Sequence, residues 1–144
     1  DPHLGHFSSR VCGSGTILME AALLGYKKII GSDISPKAIK DTRKNFSWLQ
    51  KQNDVEIEPT LITAPAQELT REDAGGVDVI ATETYLGKPG KGGERLASSS
   101  EEKELMKLYE ESLANMRLLL NPGAVLVVAF PFYKQKNKWY KEYK

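Results

Sequence analysis

Apolar positions along the chain follow two alternating rhythms. Short runs rich in β-branched residues, at Lys28–Asp33, Val77–Thr82 and Ala124–Phe130, are separated by longer stretches whose apolar residues recur every three to four positions. Parallel strands joined by crossover helices produce this alternation. The pattern predicts an α/β fold of the Rossmann-like, doubly wound kind, with a mostly parallel sheet and helices on both faces.

Local chemistry sets the expected element ends. Ile17, Leu18, Ala21, Ala22 and Leu24 share a helical spacing from about Gly15, and Gly25 follows where a left-handed cap stops a helix. Ser35-Pro36 supplies an N-cap and a proline at the first helical position of a second helix, whose Ile39, Phe46 and Leu49 would face the sheet. A strand between Val55 and Thr63 contains Pro59, which confines it to an edge or a break. After the Gly75-Gly76 turn comes the run Val77–Thr82. Ser98 and Glu101 then form a capping-box pattern, and Leu105, Tyr109, Leu113, Met116 and Leu120 continue one helical face until Asn121-Pro122-Gly123 stops it. The first ten residues show no clear strand, and the end lacks the antiparallel pair that would close such a sheet. The chain therefore reads as one domain over residues 1–144, truncated at both ends, with 1–10 and 131–144 atypical.

Composition narrows the class. At 144 residues, 40% hydrophobic and 27% charged, the chain can bury one sizeable core. No apolar run nears the roughly 18 residues that span a bilayer, and no secretory signal pattern is present, so a soluble cytoplasmic protein without membrane partners is expected. The one cysteine, Cys12, excludes a disulfide framework. His3 and His6 with Cys12 fit no zinc spacing, so no metal is expected. The net charge of +1 hides an uneven distribution: Lys134 to Lys144 hold five lysines against Glu142, which is +4 and leaves −3 elsewhere. Trp139, Tyr140 and Tyr143 interleave with those lysines, as on an RNA-contacting surface or in a severed connecting segment.

The densest chemistry lies in Cys12-Gly13-Ser14-Gly15-Thr16, which leads into the first helix. Two glycines there allow a tight turn and a close ligand approach, with helix N-terminal amides facing the ligand. Eighteen residues beyond Gly15, Asp33 ends a strand, where a carboxylate can take both hydroxyls of a ribose. Together these form a nucleoside-binding pair. A dinucleotide fingerprint would need a third glycine where Leu18 stands, which disfavours nicotinamide cofactors. In the cluster Gly87 to Gly93, Lys91 is followed by Gly92 rather than Ser or Thr, which excludes a Walker loop. The loop from Gly87 to Arg95 is either a closure over a flipped base or a plain surface loop.

Cys12-Gly-Ser-Gly-Thr-Ile-Leu-Met-Glu20, together with Gly31-Ser-Asp-Ile-Ser-Pro36, closely resembles the RNA methylase family that includes tRNA guanine-N2 methyltransferases, over most of residues 11–130. The resemblance implies a class I methyltransferase domain that uses S-adenosyl-L-methionine and methylates an exocyclic amino nitrogen of a nucleic-acid base, with guanine in tRNA the substrate it points to. It also implies an upstream RNA-binding domain missing from this chain. Cofactor contacts would come from Cys12, Gly13, Ser14, Gly15, Thr16, Asp33, Ile34 and Gln67, and catalytic ones from Thr82, Glu83 and Tyr85. In this motif a polar side chain and a carbonyl accept the amine protons while an aromatic ring stacks on the base.

Three positions depart from the family pattern. Ser9-Arg10-Val11 stands where Asp-Pro-Phe is usual, with Asp1-Pro2 displaced. Pro65-Ala66 replaces an Asp-Ala pair, leaving Gln67 or Glu68 to substitute. Thr82-Glu83-Thr84-Tyr85 keeps only the aromatic of the catalytic motif. A DNA amino-methyltransferase and a catalytically impaired nucleoside-binding fragment are the alternatives.

Overall fold

The computed structural model describes residues 4–53, 55–85 and 99–130, together with the short strands 133–135 and 138–140. Five strands form one parallel sheet: β1 (His6–Ser9), β2 (Lys28–Asp33), β3 (Thr60–Thr63), β4 (Val77–Glu83) and β5 (Leu120–Ala129), in the order β3-β2-β1-β4-β5. Between them run α1 (Thr16–Leu23), α2 (Pro36–Gln52), α3 (Arg71–Ala74) and α4 (Ser99–Leu119). Chain order reverses direction across β1, which makes the β1–β4 junction the switch point where ligands enter such sheets.

The first strand forms in the segment where the sequence shows no clear one. β1 is drawn from the segment without an apolar run and lies in the middle of the sheet, pairing with both β2 and β4. Its register is held at the amino end by Asp78, whose carboxylate accepts from the His6 amide at 2.8 Å. The His6 ring lies 2.7 Å from the Gly76 carbonyl; among the described residues, no group of three or more His, Cys, Asp or Glu could hold a metal ion. His3 lies outside the described residues.

Capping follows the sequence closely. α1 starts one residue past Gly15, and Gly25, at φ 98°, closes it by donating to the Ala22 carbonyl. Ser35 caps α2 by accepting from the Ala38 amide at 3.3 Å, with Pro36 at the first helical position. Ile39, Phe46 and Leu49 are buried against the sheet as their spacing predicts. β3 begins just after Pro59 and takes the sheet edge, where a missing amide costs no ladder bond.

One further expectation needs correction. α4 stops at Leu119, and Leu120 already pairs with Val77; residues 121–124 then stand opposite Asp78 alone before Val125 pairs with Val79. The Asn121-Pro122-Gly123 group therefore makes a wide bulge inside β5 rather than a turn before it. Asn121 fastens this bulge by donating to Asp78 at 2.8 Å while accepting from Arg71 at 2.8 Å. The tail forms an antiparallel pair, β6 (Tyr133–Gln135) with β7 (Lys138–Tyr140), as a separate two-stranded sheet that does not extend the five-stranded one. Ser98, the loop Gly87 to Arg95 and Tyr143 lie outside the described residues.

Both faces of the sheet are covered. Leu18, Ala21, Ala22, Ile39, Phe46 and Leu49 of α1 and α2 pack with Phe7 and Ile29, while Met116 and Leu119 of α4 pack with Val77, Ile80 and Leu69. Successive residues of β4 serve opposite clusters, Val79 and Ala81 the first and Ile80 the second, as strand alternation requires. Among the described residues, no helix is long and apolar enough to cross a membrane.

Candidate functional site at the carboxyl ends of the strands

A cavity of about 570 Å³ opens along the carboxyl ends of the strands, within the size range of small-molecule sites. Its floor is Arg10 and Val11 after β1, Asp33 to Ser35 after β2, and Pro65 to Gln67 after β3. Glu83 to Tyr85 after β4 form one side, and α4 supplies the facing wall through Leu108, Tyr109, Ser112, Leu113 and Met116.

Asp33 holds the glycine turn to the end of β2. Its Oδ2 accepts from the Gly13 amide at 3.0 Å and its Oδ1 from the Ser35 amide at 2.9 Å. The glycine turn and the strand-terminal acid are thus joined directly, and the buried carboxylate is held in one orientation. The turn itself is pinned from α2. Thr42 donates to the Gly13 carbonyl at 2.9 Å, and Asn45 donates to that of Ser14 at 2.8 Å.

The structure divides the expected site residues into two groups. Asp33, Ile34, Gln67, Glu83 and Tyr85 line the cavity. Cys12, Gly13, Ser14, Gly15, Thr16 and Thr82 are not among its lining residues. Ile34 is 71% exposed, an apolar surface left open at the cavity rim. The Thr82 hydroxyl accepts from the Arg10 and Val11 amides at 3.4 and 3.2 Å and donates to the Glu83 carbonyl at 3.1 Å. It is buried and engaged in tying β4 to the end of β1, so it is not the free acceptor expected from the sequence.

The turn after β4, Glu83-Thr84-Tyr85, contains no proline to stiffen it, and hydrogen bonds hold it. Thr84 donates to the Ala129 carbonyl from its amide at 3.0 Å and from its hydroxyl at 3.3 Å, and the Tyr109 hydroxyl donates to the Tyr85 carbonyl at 2.6 Å. The Tyr85 ring is left about half exposed at the cavity.

Cys12 is a packing residue. Its amide donates to the Ser32 carbonyl at 3.0 Å, and burial pushes its thiol up to about 11, against a smaller opposing pull from Thr42. Only the thiolate reacts with alkylating agents. Iodoacetamide at pH 8 should therefore label the native chain roughly 100-fold more slowly than the unfolded one; equal rates would contradict this placement.

Arg10 is the residue that sequence reasoning passed over. It is fully buried at the cavity floor, and none of its three guanidinium nitrogens has a hydrogen-bond partner among the described residues. Burial pulls it down to about 10, which leaves it cationic at neutral pH. The signal was present in Ser9-Arg10-Val11, noticed for the acid it lacks rather than for the cation it brings.

Comparison with known proteins fits this geometry. Residues 7–143 match the RMKL-like methyltransferase domain. Over 122 residues the chain is 30% identical to the tRNA (guanine(10)-N2)-dimethyltransferase of Methanothermobacter thermautotrophicus, covering 85% of this chain and 32% of that protein. It thus spans about a third of the length of this curated relative. Among solved structures it matches TrmN from Thermus thermophilus with a TM-score of 0.65 at 20% identity, over 94% of this chain and 42% of that one. It matches the plantazolicin methyltransferase BpumL, solved in complex with SAH, with a TM-score of 0.54 at 16% identity, over 88% and 39%. These structural likenesses establish the shared fold. The chain belongs to the RMKL-like methyltransferase domain family and has the class I methyltransferase fold.

Proposed function

We propose that this domain transfers a methyl group from S-adenosylmethionine to an exocyclic amino nitrogen of an RNA base, with guanine in tRNA as the substrate. The observation that carries the reading is the single cavity that joins Asp33, Ile34 and Gln67 to Glu83 and Tyr85 across the end of β1.

The residues present fit the cofactor. A carboxylate offers about four acceptor positions, and two at Asp33 are taken by backbone amides, so the others suit a ribose diol. Ile34 offers an apolar surface to adenine, and Gln67 an amide to its edge. S-Adenosylmethionine supplies a methyl group already on a good leaving group, so the chain's task is alignment and the exclusion of water. Glu83, exposed at the cavity, would accept a proton of the amine, and the half-exposed Tyr85 would stack on the base.

The nucleic-acid reading gains support from α2. Lys40, Arg43, Lys44 and Lys51 surround a shallow groove with Trp48, which is 60% exposed. Basic side chains around an open aromatic ring suit a phosphate backbone and an unstacked base. The activity named for the archaeal relative, on guanine of tRNA, favours the same substrate.

The test is transfer of labelled methyl groups from S-adenosylmethionine to unmodified tRNA and, separately, to duplex DNA. Label in tRNA guanine at the N2 position is expected. Label in DNA alone would move the assignment to a DNA amino-methyltransferase. No label from a chain that binds the cofactor would leave a nucleoside-binding domain without catalysis.

A further inference from the structure

We propose that Arg10 is the anion-binding residue of the cavity and takes the α-carboxylate at the amino-acid end of the methyl donor. This rests on the cofactor reading above and adds to it a contact made by a residue outside the glycine turn and the strand-terminal acid.

The argument begins with an unpaired charge. A guanidinium carries five N–H donors, and burying them without partners is costly enough that such groups are found paired. Arg10 is fully buried with all three nitrogens unpartnered. Two carboxylates share the cavity wall, and neither serves it. Asp33 is committed to the Gly13 and Ser35 amides, and Glu83 is exposed and makes no ion pair with Arg10 among the described residues. A ligand anion is the partner this position calls for, and a planar carboxylate matches the guanidinium fork.

Strand order says which part of the ligand arrives there. Asp33, the ribose acceptor, ends β2, and the acceptor-side residues Glu83 to Tyr85 follow β4. β1 lies between those strands, and Arg10 is the first residue after it. A donor with its ribose over β2 and its methyl aimed toward β4 places its amino-acid tail above the end of β1. Thr82 fixes that end by accepting from the Arg10 and Val11 amides, so the backbone under the guanidinium is held in place.

Calorimetric titration of the full chain tests this with paired ligands. S-Adenosylhomocysteine carries the carboxylate, whereas 5′-methylthioadenosine keeps the adenosine and thioether and lacks the amino-acid tail. Arg10→Met should weaken S-adenosylhomocysteine by about 10- to 100-fold, the range for a lost charge-assisted hydrogen bond. Binding of 5′-methylthioadenosine should not change, which also shows that the variant retains its pocket, and Arg10→Lys should recover part of the loss. Unchanged affinity of Arg10→Met for S-adenosylhomocysteine overturns the proposal and leaves the cofactor reading intact, whereas a wild-type chain that binds neither ligand overturns both. If Arg10→Met does not fold, decarboxylated S-adenosylmethionine titrated into the wild-type chain makes the same comparison. It should bind about 10- to 100-fold more weakly than S-adenosylmethionine, and equal affinity would refute the assignment.

Discussion

Asp33→Ala is expected to abolish S-adenosylmethionine binding and to destabilise the fold in the same step. Loss of two charge-assisted hydrogen bonds to a ribose corresponds to about 100-fold or more in affinity. The Gly13 and Ser35 amides, which now donate to the carboxylate at 3.0 and 2.9 Å, would lose their acceptor, costing about 2–4 kcal/mol in total. Titration calorimetry reads the first effect and denaturant unfolding the second. Asp33→Asn keeps an acceptor for one amide and should restore part of the stability while binding stays weak. A stable Asp33→Ala chain with wild-type affinity would remove Asp33 from the cofactor site.

Gly15→Ala is expected to be the most damaging change in the glycine turn, and Gly13→Ala a mild one, although both residues have positive φ. Gly15 sits at φ 87°, and a Cβ there would meet Thr42 Cγ2 at 2.5 Å and Thr42 Cβ at 3.1 Å. Thr42 is fully buried and its hydroxyl is bonded to the Gly13 carbonyl, so it has little room to withdraw. Backbone strain and overpacking each cost about 1–3 kcal/mol, which together would lower stability by about 2–6 kcal/mol. Gly13, at φ 54°, has no heavy atom within 4 Å of its virtual Cβ, so only the conformational cost of about 1 kcal/mol applies. Paired denaturant melts check the contrast, and equal losses would mean that Thr42 does not confine the turn.

What could be read in the sequence was what local chemistry encodes. Ser35-Pro36 marks the start of α2 because a hydroxyl cap and a fixed φ act within one turn, and Pro59 assigns β3 to an edge because a missing amide acts at one residue. β1 was not legible for the opposite reason. His6-Phe7-Ser8-Ser9 has no apolar run, yet it fills the centre of the sheet, with both serines fully buried. Its place depends on partners far along the chain, which periodicity cannot register. The start of β5 was misread because Asn121-Pro122-Gly123 carries turn chemistry in either context, and only the bond from Asn121 to Asp78 makes it a bulge. In the site, residue type indicated what Asp33 could bind, but not that the Thr82 hydroxyl is already engaged or that Arg10 has no partner.

The central place of β1 also governs the order in which the molecule can assemble. Its pairing with β2 joins positions 22 apart, but the pairing of Phe7 and Ser8 with Val79 and Ile80 joins positions 72 apart. Contacts of such long sequence separation form slowly, because the loop entropy is lost before the contact stabilises anything. A chain emerging from synthesis can complete β1, α1 and β2 early, yet one side of β1 stays an open edge until residue 80 is available, a period in which another chain can add to it. The cavity floor is completed by that same late pairing. Nascent chains should therefore gain no protection from the methyl donor before β4 has docked, and ligand-dependent resistance to proteolysis would mark a late step of folding rather than an early one.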